Sequence, residues 1–391
     1  MCIAAILLWM VSLVQIAHAA SFFEQFIDPH DGKFDASDWL VNAKGFLPVP
    51  IIITEPAVGY GGGAALLFFH AKKDDQYFKE IIKRDQDSTE KHKPSLPPSI
   101  SGLVGLGTEN GTWAAGGFHF GSWKQDRIRY TGGIVYPSVN LTFYGSDGSS
   151  NPILNRGLDY NLEGWFLFQE LVFRIKNSNF FLGPRFIYYN ADSAFDLKLP
   201  IEGLDPWQFN VKSYGVGLEA AYDSRDNIFT PNSGIRADFS SMYFKVDGEL
   251  TGSRDYRMTD ASSKFYLPLF SDITLGWKLR GAFSSGDIPF YALPFINLRG
   301  IPAMRYQAEN VLDTEIETRW NVNERWSLVF FGGVGVTANS ADDLNDSDEK
   351  WAGGAGFRYL VVRLLGMYTG IDIARGPEDW VFYIQVGSAW H

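Results

Sequence analysis

The chain has 391 residues with 45 Asp and Glu against 34 Lys and Arg, so its formal net charge is −11 and no basic stripe for nucleic acid is present. One cysteine, Cys2, excludes a disulfide-stapled fold. Aromatic residues reach 16% and glycines number 40, yet mean hydropathy is only −0.10.

Residues 1–19, MCIAAILLWMVSLVQIAHA, form an apolar run ending in Ala17-His18-Ala19, the small-residue pattern of a secretory signal. No Lys or Arg precedes that apolar core, which places the true start upstream of Met1 or leaves an uncleaved anchor as the alternative. Cys2 sits before the core rather than after it, which excludes a lipoprotein site. Beyond the signal no run of 18 uncharged apolar residues offers a membrane-spanning helix. Residues 20–57 read as a short periplasmic segment, and the barrel described next is expected over 58–391.

From residue 58 onward the pattern alternates with period two. In the stretch 312–320, Leu312, Thr314, Ile316, Thr318 and Trp320 share one parity while Asp313, Glu315, Glu317 and Arg319 share the other. A soluble sandwich puts its apolar face in the core and its charged face in bulk water. A transmembrane barrel reverses this, with the apolar face to lipid and the charged face to the lumen. Repeats of the pattern in ITLGWKLR, SYGVGLEAAYD, WSLVFFGGVGV and WVFYIQVGSAW carry glycine and charge on the second parity, a poor recipe for a dry core. Strands are expected near 58–70, 99–108, 112–121, 127–135, 139–145, 158–174, 179–191, 208–224, 233–246, 253–268, 272–284, 308–320, 325–337, 351–360, 366–374 and 380–390. The pair flanking Pro137 also reads as one long bent strand, so fourteen strands is the other count. Short connections (GTENG, KNSN, FSDI, NVNE) alternate with long ones at 71–98, 145–157, 191–207, 285–307 and 338–350, and the long set is expected outside. The fold class is therefore all-β: a transmembrane antiparallel barrel of about sixteen strands.

Three local motifs carry less. GYGGGA at 59–64 has dinucleotide-fingerprint spacing, but ALLFF follows where a helix is required. Small residues in a first strand fit a close or opening seam better. DDLNDSDE at 342–349 lacks the glycine and spacing of a calcium loop, so it reads as a solvated acidic loop and no metal or cofactor is expected. His119 beside Ser122 is the one nucleophile–base candidate, and a histidine between Phe118 and Phe120 more often packs than catalyses. The chain is not expected to be an enzyme.

The Leu-Arg-Gly core of LPFINLRGIPAMRY, together with YDSRDNIFTPNSGIRADF, EIETRW, GGAGFRYL and GIDIARGPEDW in that order, resembles the BamA/TamA family, also called the bacterial surface antigen family. LPVPIIITEPAVGYGGGAALLFF at 47–69 resembles the barrel entrance of its short members, and the likeness runs over most of 47–391. It implies a long sixth outer loop folded into the lumen, with Arg299 and Gly300 as its motif and Glu317 as the twelfth-strand acid. The acid that the family places on the thirteenth strand falls on Gly333 of Phe331-Gly332-Gly333, so Glu315 or Asp372, both on the inner parity, would take its place.

Periplasmic repeats characteristic of the family's assembly factors do not fit into 20–57, which makes this a short form. The resemblance thus implies an outer-membrane barrel of assembly or translocation type, inserting or moving proteins or lipids at a labile seam. Its partners would be outer-membrane lipid, unfolded outer-membrane proteins and assembly machinery. The alternative is a passive plugged barrel without a client. Trp380, Phe382, Ile384, Val386 and Trp390 form an alternating ladder expected to act as the C-terminal targeting strand.

Overall fold

A computed structural model describes residues 26–37, 39, 47–70, 99–145, 157–195, 207–248 and 252–390. The expected signal over 1–19 lies outside them. Sixteen strands follow one another in a single antiparallel sheet. They are β1 (Leu47–Ile53), β2 (Gly61–Phe69), β3 (Ile100–Thr108), β4 (Trp113–Trp123), β5 (Ile128–Phe143), β6 (Leu158–Arg174), β7 (Phe180–Phe195) and β8 (Trp207–Asp223). The second half comprises β9 (Gly234–Gly248), β10 (Gly252–Pro268), β11 (Ile273–Gly286), β12 (Asn310–Asn321), β13 (Trp326–Ala338), β14 (Lys350–Val362), β15 (Met367–Arg375) and β16 (Trp380–Val386). Among the described residues no helix is long and apolar enough to cross a membrane.

Alternation decides which face each side chain takes. On β12, Leu312, Ile316 and Trp320 are 40–50% exposed on the outer wall while Asp313, Glu315 and Arg319 are 2–6% exposed on the inner. About 9–11 residues suffice for a tilted strand to cross a bilayer, whereas β8, β9 and β10 run to 17, 15 and 17. Their outer ends therefore stand clear of lipid, and there the pattern inverts. Met242, Phe244 and Val246 turn inward and are buried, while Tyr243, Lys245 and Asp247 face outward and are exposed.

The count of sixteen matches the expectation, but two strands differ. Leu47–Ile53, expected as part of the periplasmic segment, is the first strand and pairs with β2 from Leu47↔Leu67 to Ile53↔Gly61. Pro48 and Pro50 lie within it, and proline is tolerated on a terminal strand whose second edge needs no ladder. Conversely, 127–135 and 139–145 are one strand, β5: its pairing with β6 lapses between Val135 and Ser138, around the missing donor of Pro137, and then resumes.

The two differences compensate in number but not in direction. Strands β2 to β4 and the first half of β5 run opposite to the expected sense. Residues 70 and 99, which flank that expected outer loop, consequently lie at the end of the short turns 124–127 and 175–179.

At that turn end the chain before β1 lies across the rim. Arg325, fully buried, is gripped by Asp28, by Asp31 Oδ2 at 2.6 Å and by Asp35 Oδ2 at 2.5 Å. Hydrogen bonds from Arg325 hold the Asp31 carboxyl down to about 2, against the opposing effect of desolvation. Ala36 and Val49 pack with Val362, Leu365 and Leu67, which joins this strap to both ends of the sheet.

Candidate functional site: the lumen loop and the strand seam

Between β11 and β12, residues 287–309 turn into the barrel rather than out of it. Ile288, Phe290, Tyr291 and Ala292 seat against Val211, Met242, Phe244, Val246 and Tyr256, the inverted apolar wall of the long strands. Further along, Ile296, Leu298 and Ile301 pack with Ala282, Val311 and Ala352. A bridge between Phe295 and Gln307 closes the loop at its base. Gln307 Nε2 donates to the carbonyls of Phe290 and Leu293 at 3.3 Å each.

The tip carries Arg299. Its Nε and Nη2 donate to Glu315 Oε1 at 3.0 and 2.7 Å, Nη2 lies 2.7 Å from Glu317 Oε2, and Nη1 donates to Asp372 Oδ2 at 2.9 Å. Its guanidinium carbon sits 3.7 Å above the Phe331 ring, a cation–π contact. Gly300 follows at φ +102°, and its N–H donates to the Tyr383 hydroxyl at 2.9 Å. A Cβ on Gly300 would press on the Arg375–Gly376 backbone at 3.2 Å, so the position requires glycine twice over.

Glu317, the acid implied by the resemblance, and Glu315 and Asp372, the two proposed in place of the missing one, thus converge on one guanidinium. The absent strand-13 acid has a steric reason. A side chain at Gly333 would meet the Thr314 carbonyl at 2.5 Å and Leu298 at 2.9 Å, so the loop itself occupies that space.

Other residues complete the site and were not singled out from sequence. Asp372 is held from behind by Arg358 through bonds of 2.6 and 2.9 Å. Asp313 takes Lys278 and Arg280, each at 3.2 Å. The same two cations reach the loop backbone at the carbonyls of Asn297 (2.5 Å) and Phe295 (3.0 Å). Lys278 and Glu315, and Arg280 and Asp313, are direct cross-strand neighbours. Their opposition was legible from parity and register together.

Trp390 corrects an expectation. β16 ends at Val386, Gly387 takes φ +77°, and the chain bends inward. Trp390 is therefore buried against the lumen wall, with its Nε1 donating to Glu315 Oε1 at 2.6 Å. It leaves the outward ladder, in which Trp380, Phe382 and Val386 are exposed and Ile384 is half-buried. The cluster holds rather than reacts: four carboxylates (Asp313, Glu315, Glu317, Asp372) meet four cations (Lys278, Arg280, Arg299, Arg358).

Ser122 donates to Asp126 at 3.0 Å, not to His119, so that nucleophile–base pair is not formed. Among the described residues no group of three or more His, Cys, Asp or Glu side chains is disposed to hold a metal.

The barrel closes where β1 adjoins β16. Every other neighbouring pair in the sheet is joined by a ladder, while no ladder joins these two among the described residues. A regular ladder to β2 requires Pro48 and Pro50 to stand where the backbone nitrogen points away from β2, toward the seam. Two donors are thereby removed from that edge. Stacking of Tyr60 on Phe382, centroids 5.4 Å apart, and the bond from Ala303 N to Glu55 Oε1 at 2.9 Å tie its outer end.

Residues 176–296 match the family model of the Omp85 superfamily domain. No curated protein sequence matches significantly. Among solved structures the fold is similar to BamA from Haemophilus ducreyi lacking POTRA domains 1–3, with TM-score 0.53 and 12% identity over 87% of this chain and 69% of that one. It is also similar to CdiB from Acinetobacter baumannii, with TM-score 0.52 and 9% identity over 87% of this chain and 59% of that one. For CdiB from Escherichia coli the TM-score is 0.53 at 11% identity, again over 87% of this chain and 61% of that chain.

Proposed function

We propose that this chain, an outer-membrane β-barrel of Omp85-superfamily type, works as an assembly or translocation barrel that passes protein or lipid at the seam between β1 and β16. The observation that carries this reading is the seam: two prolines deplete the donors of β1, while every other neighbouring pair of strands is joined by a ladder. Opening there costs the fewest backbone hydrogen bonds. Partners on this reading are outer-membrane lipid and unfolded outer-membrane proteins, with assembly machinery. The chain enters through a cleaved signal and keeps its N-terminal segment in the periplasm. Phe382, Ile384 and Val386 supply its targeting ladder.

A second reading, a plugged barrel without a client, draws support from the loop, which is anchored by two apolar clusters and one ionic cluster. Engineered cysteine pairs placed between 47–53 and 380–386 separate the two. An assembly barrel locked there should lose function in cells, so outer-membrane protein or lipid levels should fall. Normal levels in a locked strain, with the crosslink formed, would sink the first reading.

A further inference from the structure

On the outer wall, at the turn end of β2 to β6, lies a group of polar side chains that the lumen site does not use. Ser101 Oγ stands between two imidazoles, 2.7 Å from His70 Nε2 and 2.8 Å from His119 Nδ1. Parity sets these groups on the outer face. His119 shares its side of the sheet with Gly132, two residues from the exposed Ile134, and Ser101 is two residues from the exposed Leu103. The opposite parity, Phe120, Arg129 and Thr131, lines the lumen cavity.

His119 stacks on Trp123 at 6.0 Å and tilts against Tyr130 at 5.8 Å, and Trp123 stacks on Tyr130 at 6.0 Å. Tyr130 in turn donates to Gln169. Trp123, last residue of β4, and the exposed Trp326, first of β13, stand at the same end. This is the aromatic belt where strands meet phospholipid head groups.

The hydrogen-bond chain has a definite polarity. With both imidazoles neutral, the Ser101 hydroxyl donates to one ring and accepts from the other. The ring that donates to Ser101 keeps a bare acceptor nitrogen on its far side, and the ring that accepts keeps an N–H there. In either direction the nitrogens of His70 and His119 that Ser101 leaves unused are one donor and one acceptor, on rings with centroids 5.3 Å apart. Polar nitrogens on a lipid-facing wall are costly without partners.

From this we infer that the Ser101–His70–His119 relay is a binding site for the head group of a zwitterionic aminophospholipid. The phosphate oxygen takes the outward N–H, the ammonium donates to the bare nitrogen, and the Trp123 and Tyr130 faces add cation–π attraction. A trimethylammonium head group has no N–H to give, and a glycerol head group has no cation, so neither matches both ends.

The purified full-length barrel, mixed with equimolar phosphatidylethanolamine, phosphatidylcholine and phosphatidylglycerol of matched chains, tests this by native mass spectrometry. One ethanolamine lipid should persist at least about fivefold over each of the others, the weight of one added hydrogen bond. Ser101→Ala and His119→Phe should each abolish that preference while heat-modifiable migration stays intact. Equal retention of the three lipids by the wild-type barrel, preference for the glycerol lipid, or an unchanged preference in folded variants would overturn the site. The wild-type competition decides even where a variant does not fold.

Discussion

Along β11 to β16 the inward charges are roofed by the loop and share their hydrogen bonds with it, whereas along β4 to β10 they border an open cavity of about 450 Å³. In the second region Arg185 spans Glu170 at 2.6 Å and Glu219 at 2.8 Å, and Asp223 gathers Arg129, Arg225 and Arg236 at 2.9–3.3 Å. The residue types and alternation are alike in both. What differs is the loop packed over them, although a cavity of about 350 Å³ also reaches Arg299, Glu315 and Trp390. Glu170 keeps some exposure and can be re-solvated when its cation is lost, while Asp372, fully buried behind the loop arginine, is left uncompensated. Ion pairs of similar length thus differ in worth, and the loop sets which are strong.

The contrast is broken most directly at Arg299. Arg299→Ala leaves Glu315, Glu317 and Asp372 facing one another and should cost about 3–5 kcal/mol. The temperature at which heat-modifiable migration is lost should fall, and single-channel conductance should rise as the loop loosens. Adding Glu317→Gln should cost less than the sum of the two single changes, the mark of coupled groups. Additive effects would mean that Arg299 and Glu317 are not coupled.

Trp390→Ala comes next, at roughly 2–3 kcal/mol, below a full core truncation because its site borders a cavity. The melting temperature measures this, since the indole braces Glu315 from inside. Lower insertion yield at unchanged melting would instead return Trp390 to the outer ladder.

Beside the larger cavity Arg185→Met should cost less than Arg299→Ala, about 1–3 kcal/mol, because Glu170 can be re-solvated although Glu219 stays buried. A loss as large as that of Arg299→Ala would erase the distinction between the regions.

The smallest effect concerns the strap at the turn end, which can be titrated from solution. The Asp31 carboxyl is held at about 2, below its ordinary 3.8, so its contribution is present above 3.8 and is lost as pH falls through about 2. Proteolysis of 26–37 by an acid-active protease should therefore accelerate between those two values and not between pH 7 and pH 5. Arg325→Met should remove the pH dependence.

Much of this was readable beforehand, for reasons visible in particular residues. The family resemblance picked out Glu317, and inner parity added Glu315 and Asp372, because a strand leaves a side chain only two directions. Trp390 escaped that rule because Gly387 ends the strand, and a glycine near the terminus does not announce its φ. β1 escaped because Pro48 and Pro50 are poor strand residues everywhere except at an edge, and no local pattern says which segment will be an edge. The inversion at the top of β8 to β10 was also hidden, since period two reads the same whichever face is wet.

The sequence by itself determined the alternation, hence the all-β barrel, the composition of its two faces and the set of charges that point inward. Only the tertiary structure decided which of those charges are dry, which strand begins the sheet and toward which end each early strand runs. The physical reason is that alternation is a property of neighbours in the chain. Water exclusion, an edge and a sheet's direction belong instead to residues far apart in sequence, such as Arg299 with Asp372 or Asp28 with Arg325, and exist only once the chain has closed on itself.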